Sequence, residues 1–339
     1  MKPTVHDIAR EAGVSLATVD RVLNQRPGVR AVTIAKVQGA VQRLGYVRDA
    51  HAANLARGRR HRFAFVLPSG AGQFAKTLHA ALMEAYASPL ADRIELTVLT
   101  VSPHDPHAVA NTLKSQDLSK LDGVALMVQE TPQVRDAVAA LKRAGLAVVA
   151  LVSDLPSTGR DYFVGINSVA AGRTAAQLIG GLIKEPAEIL CVTNALRSRD
   201  SLERRLGFDA AIAAYAPGAR VLPTVEAFDD PARMADAVTR VAQSRPALAA
   251  IYSMGSGNAA LLAALGSARQ GGRVVVAHEL TPVTRAGLAT GALSALIVQD
   301  VGHLVRSALR VLRSLRDDVP IVAAQERIRI EIVMRENLQ

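Results

Sequence analysis

Residues 4–24 read TVHDIAREAGVSLATVDRVLN, and this stretch decides the fold of the amino-terminal part of the chain. Thr4 and Asp7 have the spacing of a capping box, in which two side chains satisfy free amides at the start of a helix. Apolar residues then recur at the spacing of one buried helical stripe: Val5, Ile8, Ala9 and Ala12. The stretch therefore predicts a first helix that starts after Thr4 and ends at Gly13.

A second helix is predicted after Ser15, whose hydroxyl can cap it. Its inward residues are Val19, Val22 and Leu23, and its outward residues are Leu16, Ala17, Thr18, Asp20, Arg21 and Asn24. Beyond the Pro27-Gly28 turn, a third helix ends at Gly45 and carries one apolar stripe of Ile34, Val37, Val41 and Leu44. Residues 1–47 are therefore predicted to form a small all-α domain with a helix-turn-helix, called the headpiece below.

The basic charge of the chain is concentrated in this region. Residues 1–62 carry 12 Lys and Arg against 4 Asp and Glu, whereas the remaining residues carry 28 against 26. A solvated basic face on a small helical bundle is one explanation, and neutralisation of nucleic-acid phosphates is the other. The helix-turn-helix beside the charge excess favours DNA binding.

The same stretch resembles the amino-terminal signature of the LacI/GalR family of transcriptional regulators, because the capping residues, the Gly-Val-Ser turn and Thr-Val-x-Arg-Val-Leu-Asn occur in order. The later sequence is similar, by the order and spacing of short segments, to the sugar-binding core of that family. The resemblance implies a repressor in the cytoplasm, a homodimer on operator DNA, controlled by a small sugar-like effector and using no cofactor. The alternative is a cytosolic sugar-binding sensor that acts without DNA, which the headpiece charge disfavours.

The resemblance also assigns roles in DNA binding. In the segment 48–62, it implies a hinge helix that forms on operator DNA, with Leu55 inserted into the minor groove beside Ala52; a plain basic linker is the alternative. In the headpiece, Leu16 and Ala17 offer only apolar contact to bases, so Arg21 is the best base reader. Asp20 is expected to pair with a basic neighbour or to accept from a cytosine amine. Residues expected to position the DNA backbone are Thr4, Ser15, Thr18, Asn24 and Thr33.

From Phe63 onward, short aliphatic runs alternate with longer amphipathic ones, which is typical of parallel sheets with crossover helices. We predict an α/β core over residues 63–339 with two doubly wound parallel-sheet lobes, which the resemblance identifies as periplasmic-binding-protein type I architecture. Lobe 1 is predicted at about 63–160 plus 290–320 and lobe 2 at about 161–289 plus 321–339, with three chain crossings between them.

Ligands of open α/β sheets bind at the carboxyl ends of strands, and the loops there hold a polar and aromatic set. The candidates are Phe74, Asp154, Arg204, Phe228, Asn258, Glu279 and Gln299. Each has a plain alternative: Asp154 can cap a turn, Arg204 can pair with Glu203 or Asp200 on a solvated helix face, and the aromatic residues can belong to the core. Together they resemble a ribose-binding-type pocket, in which carboxylates, amides and an arginine bind sugar hydroxyls.

Several function classes are disfavoured. No GxxxxGK[ST], HExxH, GxSxG or CxxC motif occurs, so we expect neither an enzyme nor a metal site. The HDPH cluster at 104–107 can bind a metal in principle, but Asp105 and Pro106 also fit a turn that starts a helix. Cys191, the single cysteine, is expected to be a buried thiol. The chain lacks an apolar leader and a run long enough to span a membrane, so a cytoplasmic protein is expected.

Overall fold

The computed structural model describes residues 3–23, 26–46, 60–70, 72–88, 93–103, 105, 107–184, 186–255, 257–266 and 272–338. The chain divides into two compact units, Met1–Arg59 and Arg60–Gln339, here called the headpiece unit and the core unit. The hinge segment with Ala52 and Leu55, and also Asn24, lie outside the described residues. No helix in the described ranges is long and apolar enough to cross a bilayer.

The headpiece unit contains the three predicted helices α1 (Val5–Ala12), α2 (Leu16–Leu23) and α3 (Ala31–Leu44). Thr4 and Asp7 form the predicted capping box, and Gly13 and Gly45 end α1 and α3 in the left-handed conformation that favours glycine. The helices bury a small core of Ile8, Ala9, Ala12, Val19, Val37 and Ala40. The prediction was wrong for Val5, which is 38% exposed because it occupies the first position of α1, beyond the edge of this core.

In the core unit, the first parallel sheet has the strand order β2-β1-β3-β4-β5. Its strands are β1 (His61–Pro68), β2 (Ile94–Val101), β3 (Gly123–Leu126), β4 (Ala147–Leu151) and β5 (Tyr162–Val164). Helices α4 (Gln73–Ala87), α5 (Ala108–Lys114) and α6 (Pro132–Arg143) connect them. Because alternate residues of each strand enter different apolar clusters, the sheet is buried on both faces, as a doubly wound sheet requires.

The second sheet has the order β12-β11-β10-β9-β6-β7, with β8 also paired to β6 and β12 antiparallel to β11. Its strands are β6 (Ala187–Thr193), β7 (Ala219–Val221), β8 (Val225–Glu226), β9 (Leu248–Ser253), β10 (Val274–His278), β11 (Ala295–Val298) and β12 (Glu331–Val333). One face packs against α7 (Ser168–Leu182) and α8 (Arg199–Tyr215). The other packs against α9 (Pro231–Ser244), α10 (Asn258–Leu265) and α11 (Pro282–Ala289).

Helix α12 (Val301–Asp317) packs on α4, β3 and β4 of the first sheet, although it directly follows β11 of the second. The chain thus crosses between the sheets at residues 165–167, at 299–300 and at 318–330, where the short helix α13 (Ala323–Glu326) lies. Three crossings were predicted, but two boundaries were wrong. Strand β11 lies within 290–320, which we assigned to lobe 1, but it pairs with β10 in the second sheet. Strand β5 lies after residue 161, in the segment that we assigned to lobe 2, but it pairs with β4 in the first sheet.

Cys191 on β6 is fully buried, and burial raises the pKa of its thiol to about 12. A thiol with this pKa is protonated at neutral pH and is a poor nucleophile. The expectation of a buried cysteine is therefore confirmed.

Candidate functional site

The headpiece presents the outward side of α2 as predicted. Leu16, Ala17 and Arg21 are exposed, and no carboxylate within the described residues pairs with the Arg21 guanidinium. The amide of Thr18 donates to the Ser15 hydroxyl at 3.2 Å, so Ser15 caps α2. Asp20 lies 3.4 Å from the Arg26 guanidinium, the ion pair that was one of its two expected roles.

Three of the predicted backbone-positioning hydroxyls, those of Thr4, Ser15 and Thr18, have structural roles in the headpiece unit. The Thr4 hydroxyl donates to Asp7 at 2.7 Å, and hydrogen bonds from the backbone and side chain of Thr4 lower the pKa of Asp7. Thr18 and Ser15 hydroxyls lie 2.9 Å apart, whereas Thr33 is half-buried in the first turn of α3. Contact of these residues with DNA stays a prediction.

In the core unit, the carboxyl ends of the neighbouring parallel strands β10 and β11 place Glu279 and Gln299 together. The Gln299 amide donates to Glu279 Oε1 at 2.9 Å. Arg204, from the first turns of α8, approaches the same oxygen at 3.6 Å and donates through Nη1 to the Met254 carbonyl at 2.7 Å. These three side chains, called the buried triad below, are all nearly inaccessible, and Arg204 is only 2% exposed.

The buried triad retains unused hydrogen-bonding atoms. Glu279 Oε2, Gln299 Oε1 and Arg204 Nε have no hydrogen-bond partner among the described residues, although each is buried. Such atoms cost free energy unless a ligand or water satisfies them. Two of the three are acceptors, so the site is suited to a ligand that donates hydroxyl hydrogen bonds.

Local backbone geometry fixes Glu279 in this site. Its φ is 71°, a left-handed value that is uncommon for a residue with a side chain and that marks functional positions when neighbours enforce it. Those neighbours are the Ile297 carbonyl, which accepts from the Glu279 amide at 3.1 Å, and the Thr284 hydroxyl, which donates to the Glu279 carbonyl at 2.7 Å.

The electrostatics of Glu279 follow from its burial. Burial raises the pKa of Glu279 to about 7, and the positive charge of Arg204 together with the Gln299 hydrogen bond opposes this rise. Behind the triad, the Tyr252 hydroxyl and His278 Nε2 lie 2.8 Å apart. Burial, with the charge of Arg204 adding to it, holds the pKa of His278 well below its usual value, so the imidazole is neutral.

Among the described residues, Asn258 joins the triad and the Tyr252–His278 pair through the backbone of β10. Its amide nitrogen donates to the His278 carbonyl at 3.1 Å, and its oxygen accepts from the Ser253 hydroxyl at 2.6 Å. The side chain therefore braces β9 against β10 at the edge of the site.

The other three predicted ligand contacts have different neighbours. The Asp154 carboxylate is held by the Arg160 guanidinium on both oxygens, with Nη2 at 2.6 Å from Oδ2, and hydrogen bonding to Asp154 raises the pKa of Arg160. Phe74 is half-buried against the apolar core. The Phe228 ring lies under the Arg233 guanidinium, 4.8 Å from its centroid. No hydrogen bond, ion pair or ring contact among the described residues joins these three to the buried triad.

Sequence reasoning also misjudged or missed partners of Arg204. Asp200 does lie 3.6 Å from Arg204, but the pair is largely buried, not on the solvated helix face that was the plain alternative. Glu203 pairs with Arg199 instead. The Met254 carbonyl and the Tyr252–His278 pair were missed; the alternation of Ala250, Tyr252 and Met254 along β9 is the signal that places Tyr252 on the face covered by α8.

The headpiece and core match separate families. Residues 63–318 match the family described as periplasmic binding protein domain, and residues 4–49 match the family described as bacterial regulatory proteins, lacI family. The chain belongs to the periplasmic binding protein domain family and carries a lacI-family headpiece. The predicted family and the two-part fold are thereby confirmed.

Curated relatives are transcriptional regulators. The ribose operon repressor of Escherichia coli K12 is 25% identical over 209 residues, which are 62% of this chain and 61% of the repressor. Catabolite control protein A of Streptococcus mutans is 32% identical over 173 residues, 47% of each chain. The match thus spans about three fifths or less of the length of these relatives.

Solved structures share the fold of the core. A solute-binding protein of an ABC transporter from Burkholderia graminis, in complex with D-arabinose, has a TM-score of 0.72 at 23% identity over 83% of this chain and 97% of that chain. A glucose-galactose binding protein from Geobacillus stearothermophilus has a TM-score of 0.72 at 15% identity over 83% of this chain and 99% of that chain.

Proposed function

We propose that this chain is a DNA-binding transcriptional repressor of the cytoplasm whose affinity for an operator is controlled by a small sugar-like effector bound at the buried triad. The observation that carries the proposal is the set of unused acceptor atoms on Glu279 and Gln299 beside the buried Arg204. The exposed α2 face with Arg21 and the basic excess of residues 1–62 support the DNA partner. Regulators among the relatives support a binding function over an enzymatic one.

The chemistry of the triad favours an uncharged polyhydroxylated effector. A hydroxyl can donate to Glu279 Oε2 or Gln299 Oε1, whereas a phosphate or carboxylate offers only acceptors and meets a glutamate. Arg204 is already engaged by Met254 and by two carboxylates, Asp200 and Glu279, so its charge is compensated. Phe74, Asp154, Phe228 and Asn258 remain proposed contacts at the edge of the site.

Control of DNA affinity is proposed to follow from the chain crossings. Gln299 is both a member of the triad and the first residue of the crossing at 299–300. A ligand that binds one arrangement of the two sheets more tightly shifts the population toward that arrangement. A homodimer is proposed because two headpieces on two half-sites give the contact area that one small headpiece lacks.

The effector side is tested by thermal shift. D-Ribose, D-arabinose, D-glucose, ribitol and ribose 5-phosphate are added to the full chain and to Glu279→Gln, with the exposed Glu84→Gln on α4 as the matched control. We expect an uncharged member to raise the Tm of wild type and Glu84→Gln, and a much smaller rise for Glu279→Gln. A rise with the phosphate alone would contradict the assignment.

The DNA side is tested with the same full chain. Binding to duplexes from its own promoter region is measured by fluorescence anisotropy at several salt concentrations, with and without the sugar that raised the Tm. We expect affinity to fall steeply with salt and to change with the sugar. A chain that binds sugar but no duplex at low salt would instead establish the sensor that acts without DNA.

A further inference from the structure

Helices α7 and α8 touch backbone to backbone at two glycines. A Cβ added at Gly172 of α7 would lie 2.0 Å from the Arg204 carbonyl oxygen and 2.9 Å from the Phe208 amide nitrogen. A Cβ added at Gly207 of α8 would lie 2.0 Å from the Val169 carbonyl oxygen. Real Cβ atoms essentially never come within 3.0 Å of such an atom. Any larger residue at either position therefore forces the two helices apart.

The atom that Gly172 faces belongs to Arg204 itself. Because the obstructing atoms are backbone, they cannot rotate aside as a flexible side chain can, so α8 must move by at least about 1 Å to accept a methyl group at position 172. Because Arg204 belongs to α8, a movement of α8 displaces its Cα relative to β9 and β10.

Arg204 has little tolerance for that movement. Its side chain is buried, its Nη1 donates to the Met254 carbonyl at 2.7 Å, and its Nη2 already lies 3.6 Å from Glu279 Oε1. Nitrogen–oxygen hydrogen bonds in proteins span about 2.7 to 3.2 Å, and a displacement of about 1 Å takes the Met254 contact out of that range. Bulk water does not reach the guanidinium to replace the lost partner.

We propose that Gly172 and Gly207 are positioning residues of the buried triad: they hold α8 against α7 at the distance from which Arg204 reaches both Met254 and Glu279. That the buried triad binds an effector rests on the proposed function, whereas the positioning of Arg204 does not. Neither glycine touches a ligand-facing atom, and both act through the backbone of α8.

The same helix provides two matched controls. A Cβ at Gly180 would lie 2.5 Å from the Tyr215 Cβ and 2.9 Å from its carbonyl carbon, so alanine there strains the same helix pair at its far end, three turns from Arg204. A Cβ at Gly181 would meet nothing within 4 Å. If the glycines only allow the helices to pack, Gly172→Ala and Gly180→Ala must have the same effect on the triad. If Gly172 positions Arg204, only Gly172→Ala alters the triad.

The experiment measures the carboxyl group of Glu279, which requires no ligand. Full-length chain labelled with ¹³C at glutamate carboxyls is titrated by NMR, with the Glu279 signal assigned by its loss in Glu279→Gln. We expect Gly172→Ala to raise the midpoint of the Glu279 titration by about half a pH unit or more, because the guanidinium that favours the carboxylate moves away. Gly180→Ala and Gly181→Ala should leave the midpoint unchanged, and in an Arg204→Met background Gly172→Ala should add no shift. An equal shift in Gly180→Ala, or a persisting shift without Arg204, overturns the proposal.

Two further outcomes are decisive. If Gly172→Ala alone does not fold, the double variant Arg204→Met, Gly172→Ala is made: the backbone clash remains in it, but no displaced guanidinium adds to the cost, so a double variant that folds supports positioning and one that does not fold overturns it. For the sugar that raises the Tm of wild type, we expect Gly172→Ala to weaken binding about tenfold or more and Gly181→Ala not to weaken it. If no sugar binds, the proposed function fails while the titration still decides the positioning.

Discussion

At the scale of single residues, the raised pKa of Glu279 makes the stability of the core unit depend on pH. Its folded pKa of about 7 lies above its ordinary value of 4.5, because burial disfavours the carboxylate. The folded state therefore holds a proton that the unfolded state releases, and this stabilising contribution is present below about pH 4.5 and is lost as the pH rises through about 7.

Glu279→Gln should remove this pH dependence. We expect the free energy of unfolding of wild type, relative to the variant, to fall by about 3 kcal/mol between pH 4.5 and pH 8. Urea denaturation across that pH range measures this difference in the free energy of unfolding. For the exposed Glu84→Gln, the difference from wild type should not change with pH. A flat difference for Glu279→Gln as well would show that the folded carboxyl titrates normally.

Arg21 is the residue on which base selection by the headpiece should depend. We expect Arg21→Ala to weaken specific DNA binding by about 1–3 kcal/mol and to leave non-specific binding almost unchanged, because a bidentate contact to guanine is lost. Competition between operator and random duplexes measures the discrimination. Arg43→Ala is the control, since Arg43 pairs with Glu11 at 2.9 Å on the headpiece surface. Equal weakening on every sequence would assign Arg21 to phosphate contact.

Single-sequence reasoning identified the triad but not its state of ionisation or pairing. Glu279, Gln299 and Arg204 follow strands or open a helix, and chain position is sufficient to find such residues. Chain position does not show which oppositely charged side chain lies nearest in space. Asp154 was predicted from the same rule, yet Arg160, six residues later, occupies its carboxylate.

At the scale of elements, long periodic segments were predictable and short ones were not. Helices α4 and α9 and strands β2 and β6 form on the amphipathic and aliphatic runs of the sequence, because the pattern of apolar residues there extends over seven or more residues. Strands β5, β7 and β8 span three residues or fewer, which is too short for any period. They form because a neighbouring strand supplies hydrogen bonds, and that is tertiary information.

Asn167 determines where α7 begins. Its exposed side chain accepts a hydrogen bond from the Ala170 amide at 2.9 Å, directly after the first chain crossing. We expect Asn167→Ala to lower the free energy of unfolding by about 1 kcal/mol, because that amide loses its partner. Asn167→Ser, which can cap equally well, should restore most of the loss in urea denaturation. If serine and alanine are equally destabilising, the cap is not the cause.

At the scale of the whole molecule, the predicted lobe boundaries were wrong at the places where the chain crosses from one sheet to the other. The sequence around β11 is an ordinary buried strand, and nothing in it says which sheet it joins. Its register with β10 decides this, because Val276, Ala277 and His278 pair with Ala295, Leu296 and Ile297. Helix α12, which follows immediately, then packs on the first sheet, so one short crossing connects the triad to a helix of the other sheet.

The far end of α12 is anchored at the first strand of the core unit, and this anchor should contribute strongly to stability. Asp317 ends α12 with 1% exposure, and its Oδ1 lies 3.3 Å from Nε2 of His61, which is 3% exposed and begins β1. Through Oδ2 the same carboxylate lies 3.9 Å from Nε of Arg313, one turn earlier on α12. Asp317→Asn removes the buried negative charge that faces Arg313 and His61, so we expect it to lower the free energy of unfolding by about 3 kcal/mol. Glu95→Gln is the control at the same edge of the sheet, because Glu95 pairs with Arg62 at 3.0 Å but is 47% exposed. We expect it to lower the free energy of unfolding by less than about 1 kcal/mol. Denaturation of both variants in urea at neutral pH compares them directly. Equal small losses would mean that burial of the α12 side chains alone, and not the ion pair, holds the helix on the first sheet.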